Sequence, residues 1–227
     1  MGSHSGLPRL RHVSTELKDF RYFCTVIRKQ RDMPNWTNNS IRIEGPKEVL
    51  DKFLADGTPN KNGEYSFNSW IPIPETYRKY DTTNHPNGEG LRLGQPVDFF
   101  EEGSPIVTEE LIEEYKQATK EQAEKYGSVG WYDWRCANYG CKWDMAFDSI
   151  DRIDDTCLNI MVDTPWSAPG EFLLTISERY PELTINAYSV YEEGEWKTIE
   201  FHAGEYEILE SGLCDWREAY DAEHTEE

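Results

Sequence analysis

The fifteen residues from Gly130 to Asp144 hold three tryptophans (Trp131, Trp134, Trp143) and two tyrosines (Tyr132, Tyr139). They also hold five charged or amide side chains: Asp133, Arg135, Asn138, Lys142 and Asp144. Rings of this size bury large areas, and their N–H and O–H groups need partners once buried. The spacing predicts a short helix from Trp131 to Tyr139, ended by Gly140. Trp131, Trp134 and Arg135 share one face of it, with Asn138 a turn further on. Two roles compete for the segment. It is either an aromatic core helix locked by Asp133, Asn138 and Lys142, or a rigid recognition patch of the kind that anchors interfaces.

The flanking chain alternates strand and helix patterns. Thr37 to Glu44 alternates polar and apolar side chains with Ile41 and Ile43 on one face, so it reads as a strand. Gly45-Pro46 breaks it, and Val49, Leu50, Phe53 and Leu54 set a helix closed by Gly57. Tyr65 to Ile73 reads as a second strand ending at Pro72 and Pro74. Residues 75–104 are loop-like, and Thr108 caps a helix that runs to about Tyr126. Strands are expected at Trp143 to Ile150 and Cys157 to Val162. A helix follows from Pro169 to Tyr180, then a hairpin of Leu183 to Tyr191 and Trp196 to His202, turning at 192–195. The acidic tail, 209–227, allows one more helical turn around Trp216 and Tyr220. This order predicts an α+β fold, an antiparallel sheet with helices on one face and 75–127 as an inserted loop and helix. Ile41, Ile43, Phe147, Leu158, Ile160, Ile185 and Ile199 are the expected sheet residues of the core.

Charge narrows the partners. Among 227 residues, 43 Asp and Glu oppose 23 Lys and Arg, a net of −20. Residues 1–32 hold seven of the bases and three of the acids, which leaves residues 33–227 at −24. Such a field repels phosphate backbones and anionic lipid and attracts basic surfaces. The same charge also serves plain solubility. No run is apolar enough for a membrane span, and no secretory pattern stands at the N-terminus. Five cysteines (Cys24, Cys136, Cys141, Cys157, Cys214) cannot close a full disulfide framework, which points to a reducing, cytoplasmic compartment. Residues 1–32 read as a leader or tag-like extension, or else as an amphipathic arm carrying Phe20, Phe23, Val26 and Ile27.

Motifs for nucleotides, calcium, zinc-dependent hydrolysis or a serine nucleophile are absent. Of the five histidines, only His202 falls in a predicted strand, so a histidine base or metal site has little to draw on. Cys136 and Cys141 lack a second thiol pair at metal-site spacing. We therefore assign no catalytic residue, metal or cofactor. The enzymatic alternative is a carboxylate- or metal-dependent site at Asp133, Cys141, Lys142 and Asp144. A third possibility is nucleic-acid binding through the sheet, although no basic-aromatic RNA-binding string is present.

Several stretches together resemble the YubB-type proteins of phages and conjugative plasmids. They are Met33-Pro34-Asn35-Trp36-Thr37-Asn38-Asn39, Ser40-Ile41-Arg42-Ile43-Glu44-Gly45-Pro46, Phe67-Asn68 and Pro72-Ile73-Pro74. To these add Trp131-Tyr132-Asp133-Trp134, Asn138-Tyr139-Gly140-Cys141-Lys142-Trp143-Asp144 and Asp163-Thr164-Pro165-Trp166-Ser167-Ala168-Pro169. The resemblance covers roughly 33–208. It departs at Cys141, where threonine is expected, and at Pro165, where a small residue is expected. It implies a ferredoxin-like domain and a mobile-element origin, and no activity.

The expected function is that of an accessory protein that binds and modulates a bacterial host protein with a basic surface, as an anti-defence inhibitor does. The expected contact residues are Glu109, Glu110, Glu113 and Glu114 with the aromatic motif: Trp131, Asp133, Trp134, Asn138, Lys142, Trp143 and Asp144. The run Asp148, Asp151, Asp154 and Asp155 is a further acidic candidate. Deleting residues 1–32 should leave the melting temperature within a few degrees, as read by circular dichroism, if they lie outside the packed domain.

Overall fold

The computed structural model describes residues 35–98 and 101–213. Expectations for residues 1–32, for Cys24 and Cys214, and for the turn around Trp216 and Tyr220 lie outside them.

Six strands form one antiparallel sheet: β1 (Trp36–Glu44), β2 (Ser149–Asp154), β3 (Cys157–Pro165), β4 (Thr184–Tyr191), β5 (Glu195–His202) and β6 (Glu205–Leu213). Their order is β2-β3-β1-β4-β5-β6. The helices are α1 (Lys47–Asp56), α2 (Glu75–Lys79), α3 (Glu109–Tyr126), α4 (Trp131–Tyr139) and α5 (Gly170–Arg179). The first four strands interleave with α1 and α5 as a split βαβ pair, so the fold is α+β and ferredoxin-like. β5 and β6 extend it beyond β4, and α2 and α3 stand between α1 and β2 as the helical insertion. Among the described residues, no helix is long and apolar enough to cross a membrane.

Period-two patterning decides the two faces of the sheet. One cross-strand ladder runs Ile150, Ile160, Ile41, Ala187, Ile199, Ile208. The next holds Leu158, Ile43, Ile185, Phe201 and Tyr206. Their central members join Leu50 and Phe53 of α1 and Phe172, Leu173 and Ile176 of α5 in the core. Residues of opposite parity form a polar ladder on the other face: Asp151, Asn159, Arg42, Asn186, Glu200, Glu207.

Two expected strands are corrected. Residues 65–73 hold a 3-10 turn at Phe67–Ser69. The side chains of Ser66 and Ser69 cap each other's backbone, and the Asp144 carboxylate accepts from Asn68 N (3.0 Å) and Ser66 Oγ (3.2 Å). These bonds compete with a strand ladder, while Phe67, Trp70, Ile71 and Ile73 drop into the core. Trp70 stacks on Phe53 at 4.8 Å and donates its indole N–H to Phe53 O (2.8 Å). Gly57 has no room for a side chain, because a Cβ there would stand 2.6 Å from the Trp70 ring. The second correction is Trp143 to Ile150, where regular strand begins only at Ser149. Phe147 precedes that strand and packs half-buried against the core. β6 carries the sheet past residue 208 to Leu213, a strand that the acidic composition concealed.

One polar cluster sits on the helix-covered face at the end of β1. Asn39 is buried and donates through Nδ2 to Val162 O (3.0 Å) and Thr164 Oγ1 (2.8 Å). Its Oδ1 accepts from Ser189 Oγ (2.8 Å). One side chain thus joins β1 to both of its neighbours. Asn39→Ala should lower the unfolding free energy by roughly 2–4 kcal/mol in denaturant titrations, because it strands buried polar groups of β3 and β4.

Candidate functional site

α4 forms where the motif predicts it, and Gly140 ends it with φ 82°, a left-handed cap. A Cβ at Gly140 would lie 2.9 Å from Gly170 N and 3.0 Å from Ala168 O, so only glycine lets the α4 end approach the start of α5 so closely. The helix divides its aromatic residues. Trp134 is buried against Tyr77 and Tyr139, and Tyr139 donates its hydroxyl to Ile71 O (2.9 Å). Trp131 is half-buried, donates to Asp81 Oδ1 (3.2 Å) and carries the Arg135 guanidinium over its ring. Asp133 is exposed, and Asn138 bonds back to Trp134 O (2.8 Å).

The chain beyond Gly140 makes a different kind of surface. Lys142 places its ammonium 4.1 Å from the ring centre of Trp143 and 3.7 Å from that of Trp166. Trp143 also meets Trp36, at 6.3 Å between ring centres, and Trp166 at 6.2 Å. Three distant segments converge here: the start of β1, the end of α4 and the loop after β3. Pairing of Trp36 with Pro165 and a bond from Trp166 N to Asn35 O (2.8 Å) fix the first to the third. Ser167 Oγ donates to Gly140 O (2.5 Å), and Thr164 Oγ1 donates to Ser167 O (2.7 Å), which fixes the loop to α4 and to the Asn39 cluster.

Trp166 has φ 65°, a left-handed conformation that costs a β-carbon residue about 1–2 kcal/mol. The residue is 48% exposed. Strained backbone beneath an exposed aromatic marks a place where the surrounding structure holds a side chain in position.

The residues expected at the site therefore separate. Lys142 and Trp143 belong to the cluster. Asp144 is engaged in capping the 3-10 turn. Cys141 is buried, donates toward Trp143 O, and burial pushes its thiol up to about 12, so it is protonated at neutral pH. Cys136 is raised as well, first by burial. Among the described residues, no group of three His, Cys, Asp or Glu gathers as metal ligands would. Glu109, Glu110, Glu113 and Glu114 are exposed on the first half of α3. Glu113 pairs with Lys116, and Glu114 accepts from Tyr80 OH (2.8 Å). In the aspartate run, Asp155 pairs with Lys47 (3.0 Å), and Asp154 accepts from Thr156 N and Oγ1, which lowers its pKa. Trp36 and Trp166 are the members that sequence reasoning missed. Both stand in stretches that carry the family resemblance, and Trp166 lies between two prolines, in a loop where a core role was not forced.

Replacing Trp166 separates strain from packing. Trp166→Ala and Trp166→Gly lose the same ring, but only glycine accepts φ 65° freely. The glycine variant should be the more stable of the two by about 1 kcal/mol in chemical denaturation.

Residues 142–226 match a family model described as a ferredoxin-like domain in Api92-like protein. The match begins at Lys142 and takes in Trp143, Trp166 and strands β2 to β6, while Trp36 and β1 precede it. A crystal structure of the protein api92 from Yersinia pseudotuberculosis superposes with a TM-score of 0.43 at 10% identity, over 80% of this chain and 98% of that one. No curated protein matches the chain. What the comparisons establish for this protein is a ferredoxin-like domain in its C-terminal part.

Proposed function

We propose that this chain is an accessory protein of a phage or plasmid that binds and modulates a host protein with a basic surface, as an anti-defence inhibitor acting in the bacterial cytoplasm does. The observation that supports it most is the first half of α3. Four glutamates stand there in water on a helix whose buried side is only Tyr115, Ala118, Thr119 and Gln122. Glu109 and Glu110 stand in the first turn, where the positive end of the helix dipole favours them. With a net charge of −20, this surface favours encounter with cationic proteins. Rows of carboxylates in place of phosphates are one way to occupy a nucleic-acid-binding face. The mobile-element origin rests on the YubB-type resemblance.

The rival readings have less support. An acid/base or metal mechanism at the motif would use Asp133, Cys141, Lys142 and Asp144, but Asp144 accepts from the 3-10 turn, Cys141 is a buried, protonated thiol, Lys142 lies over two indoles and Asp133 stands exposed on α4. Direct nucleic-acid binding would use the sheet face turned away from α1 and α5, and the ladder there places Asp151, Glu200 and Glu207 where a phosphate backbone needs cations.

Affinity capture from bacterial lysate at low and high salt, with mass spectrometry, tests the proposal. A basic host protein should be retained at low salt and released by salt. Its retention should be lost when Glu109, Glu110, Glu113 and Glu114 are reversed to lysine. A chain that captures no partner at any salt, with its fold intact, overturns the reading.

A further inference from the structure

The Lys142 ammonium lies in a notch between two indole faces whose planes are tilted by 41°, with a third indole, Trp36, behind Trp143. Among the described residues no carboxylate pairs with it, although acids outnumber bases almost two to one in the chain. The negative ring faces hold this cation. The rim is anionic as well. Glu192 accepts from Trp36 N (3.1 Å), Glu193 accepts from Asn35 Nδ2 (2.5 Å), and Asp163 accepts from Asn38 Nδ2 (2.6 Å), two residues along β1 from Trp36. Glu192 and Glu193 accept from neutral donors there, so these contacts leave their negative charge uncompensated. Ring faces, an anionic rim and a strained, exposed tryptophan form a receptor for a positive side chain, and the chain's own lysine shows where that charge sits.

We propose that Trp36, Trp143 and Trp166 form an aromatic subsite for an arginine or lysine side chain of a basic protein partner, and that Lys142 occupies it in the free chain. This rests on the reading that the chain binds a basic protein, and it names where one partner side chain enters. Lys142 is tethered and half-buried, so an incoming guanidinium or ammonium takes its place by exchange. An exposed Trp166 leaves the notch open to solvent on that side. Arginine is the better ligand, because its planar guanidinium stacks on indole and is more weakly hydrated than an ammonium. The resident lysine lowers apparent affinity for any cation and thereby selects partners that also engage the acidic surface.

The test uses the full chain and a hexa-arginine peptide at physiological salt, followed by tryptophan fluorescence and by the indole N–H resonances. Lys142→Met keeps the apolar stem and removes the competing cation. Lys61→Met removes the same charge from an exposed loop away from both surfaces and sets the scale for general electrostatics. We expect Lys142→Met to bind the peptide about tenfold more tightly than Lys61→Met does. The largest resonance shifts should fall on Trp36, Trp143 and Trp166. Trp166→Gly, which keeps the loop backbone unstrained, should weaken binding about tenfold in the Lys142→Met background. Equal affinities for Lys142→Met and Lys61→Met, or shifts confined to other tryptophans, overturn the subsite. The lysate partner separates this from the broader reading. If that partner is lost on reversing the α3 glutamates but is indifferent to Lys142→Met and Trp166→Gly, acidic docking stands and the aromatic subsite fails.

Discussion

The buried amide of Asn39 is the interaction on which the rest of the structure depends. β1 is paired along both edges, so its side chains on the helix-covered face cannot reach water, and a polar residue there must find every partner inside the protein. Asn39 does so by bonding to β3 through Val162 O and Thr164 Oγ1 and to β4 through Ser189. Register follows, because a slip by one residue would turn the isoleucines of β1 outward and strand the amide. From Thr164 the bonding continues through Ser167 to Gly140, and so reaches the strained loop and the end of α4. The tryptophan cluster is therefore rigidly connected to the centre of the sheet.

The charge of the chain and its aromatic content are complementary parts of one surface chemistry. Carboxylates line α3, β6 and the sheet face away from the helices, whereas cations are mostly tied into local pairs such as Lys47 with Asp155 and Lys197 with Glu195. Some cations are held by ring faces instead, as Arg135 is over Trp131 and Lys125 over Tyr126, and Lys142 lies over two indoles. An ammonium half-removed from water is stabilised by such contacts by about 1–2 kcal/mol. That is enough to order the side chain and small enough for a competing cation to displace it.

The sequence by itself determined the elements whose side chains repeat with a clear period. Ile41 and Ile43 placed β1, Phe172, Leu173 and Ile176 placed α5, and Gly140 placed the end of α4, because burial of alternate or helically spaced residues and a left-handed cap are local demands. The α+β class, with helices on one face of an antiparallel sheet, was legible for the same reason, whereas the ferredoxin-like order was implied only by the family resemblance. Residues 65–73 misled because Tyr65, Phe67, Ile71 and Ile73 fall on alternate positions and mimic a strand pattern, while the turn the chain adopts there is fixed by Asp144, a carboxylate about 75 residues away in the chain. β6 was hidden because its outward side chains are glutamates, and only pairing with β5 makes that stretch a strand. The tertiary structure alone decided the site. Spacing on α4 put Trp131 and Trp134 on one face, and packing then sent Trp134 into the core. Trp36, Trp143 and Trp166 carry no shared period, and they meet because the start of β1, the loop after β3 and the segment beyond α4 are brought together by hydrogen bonds that no local pattern encodes.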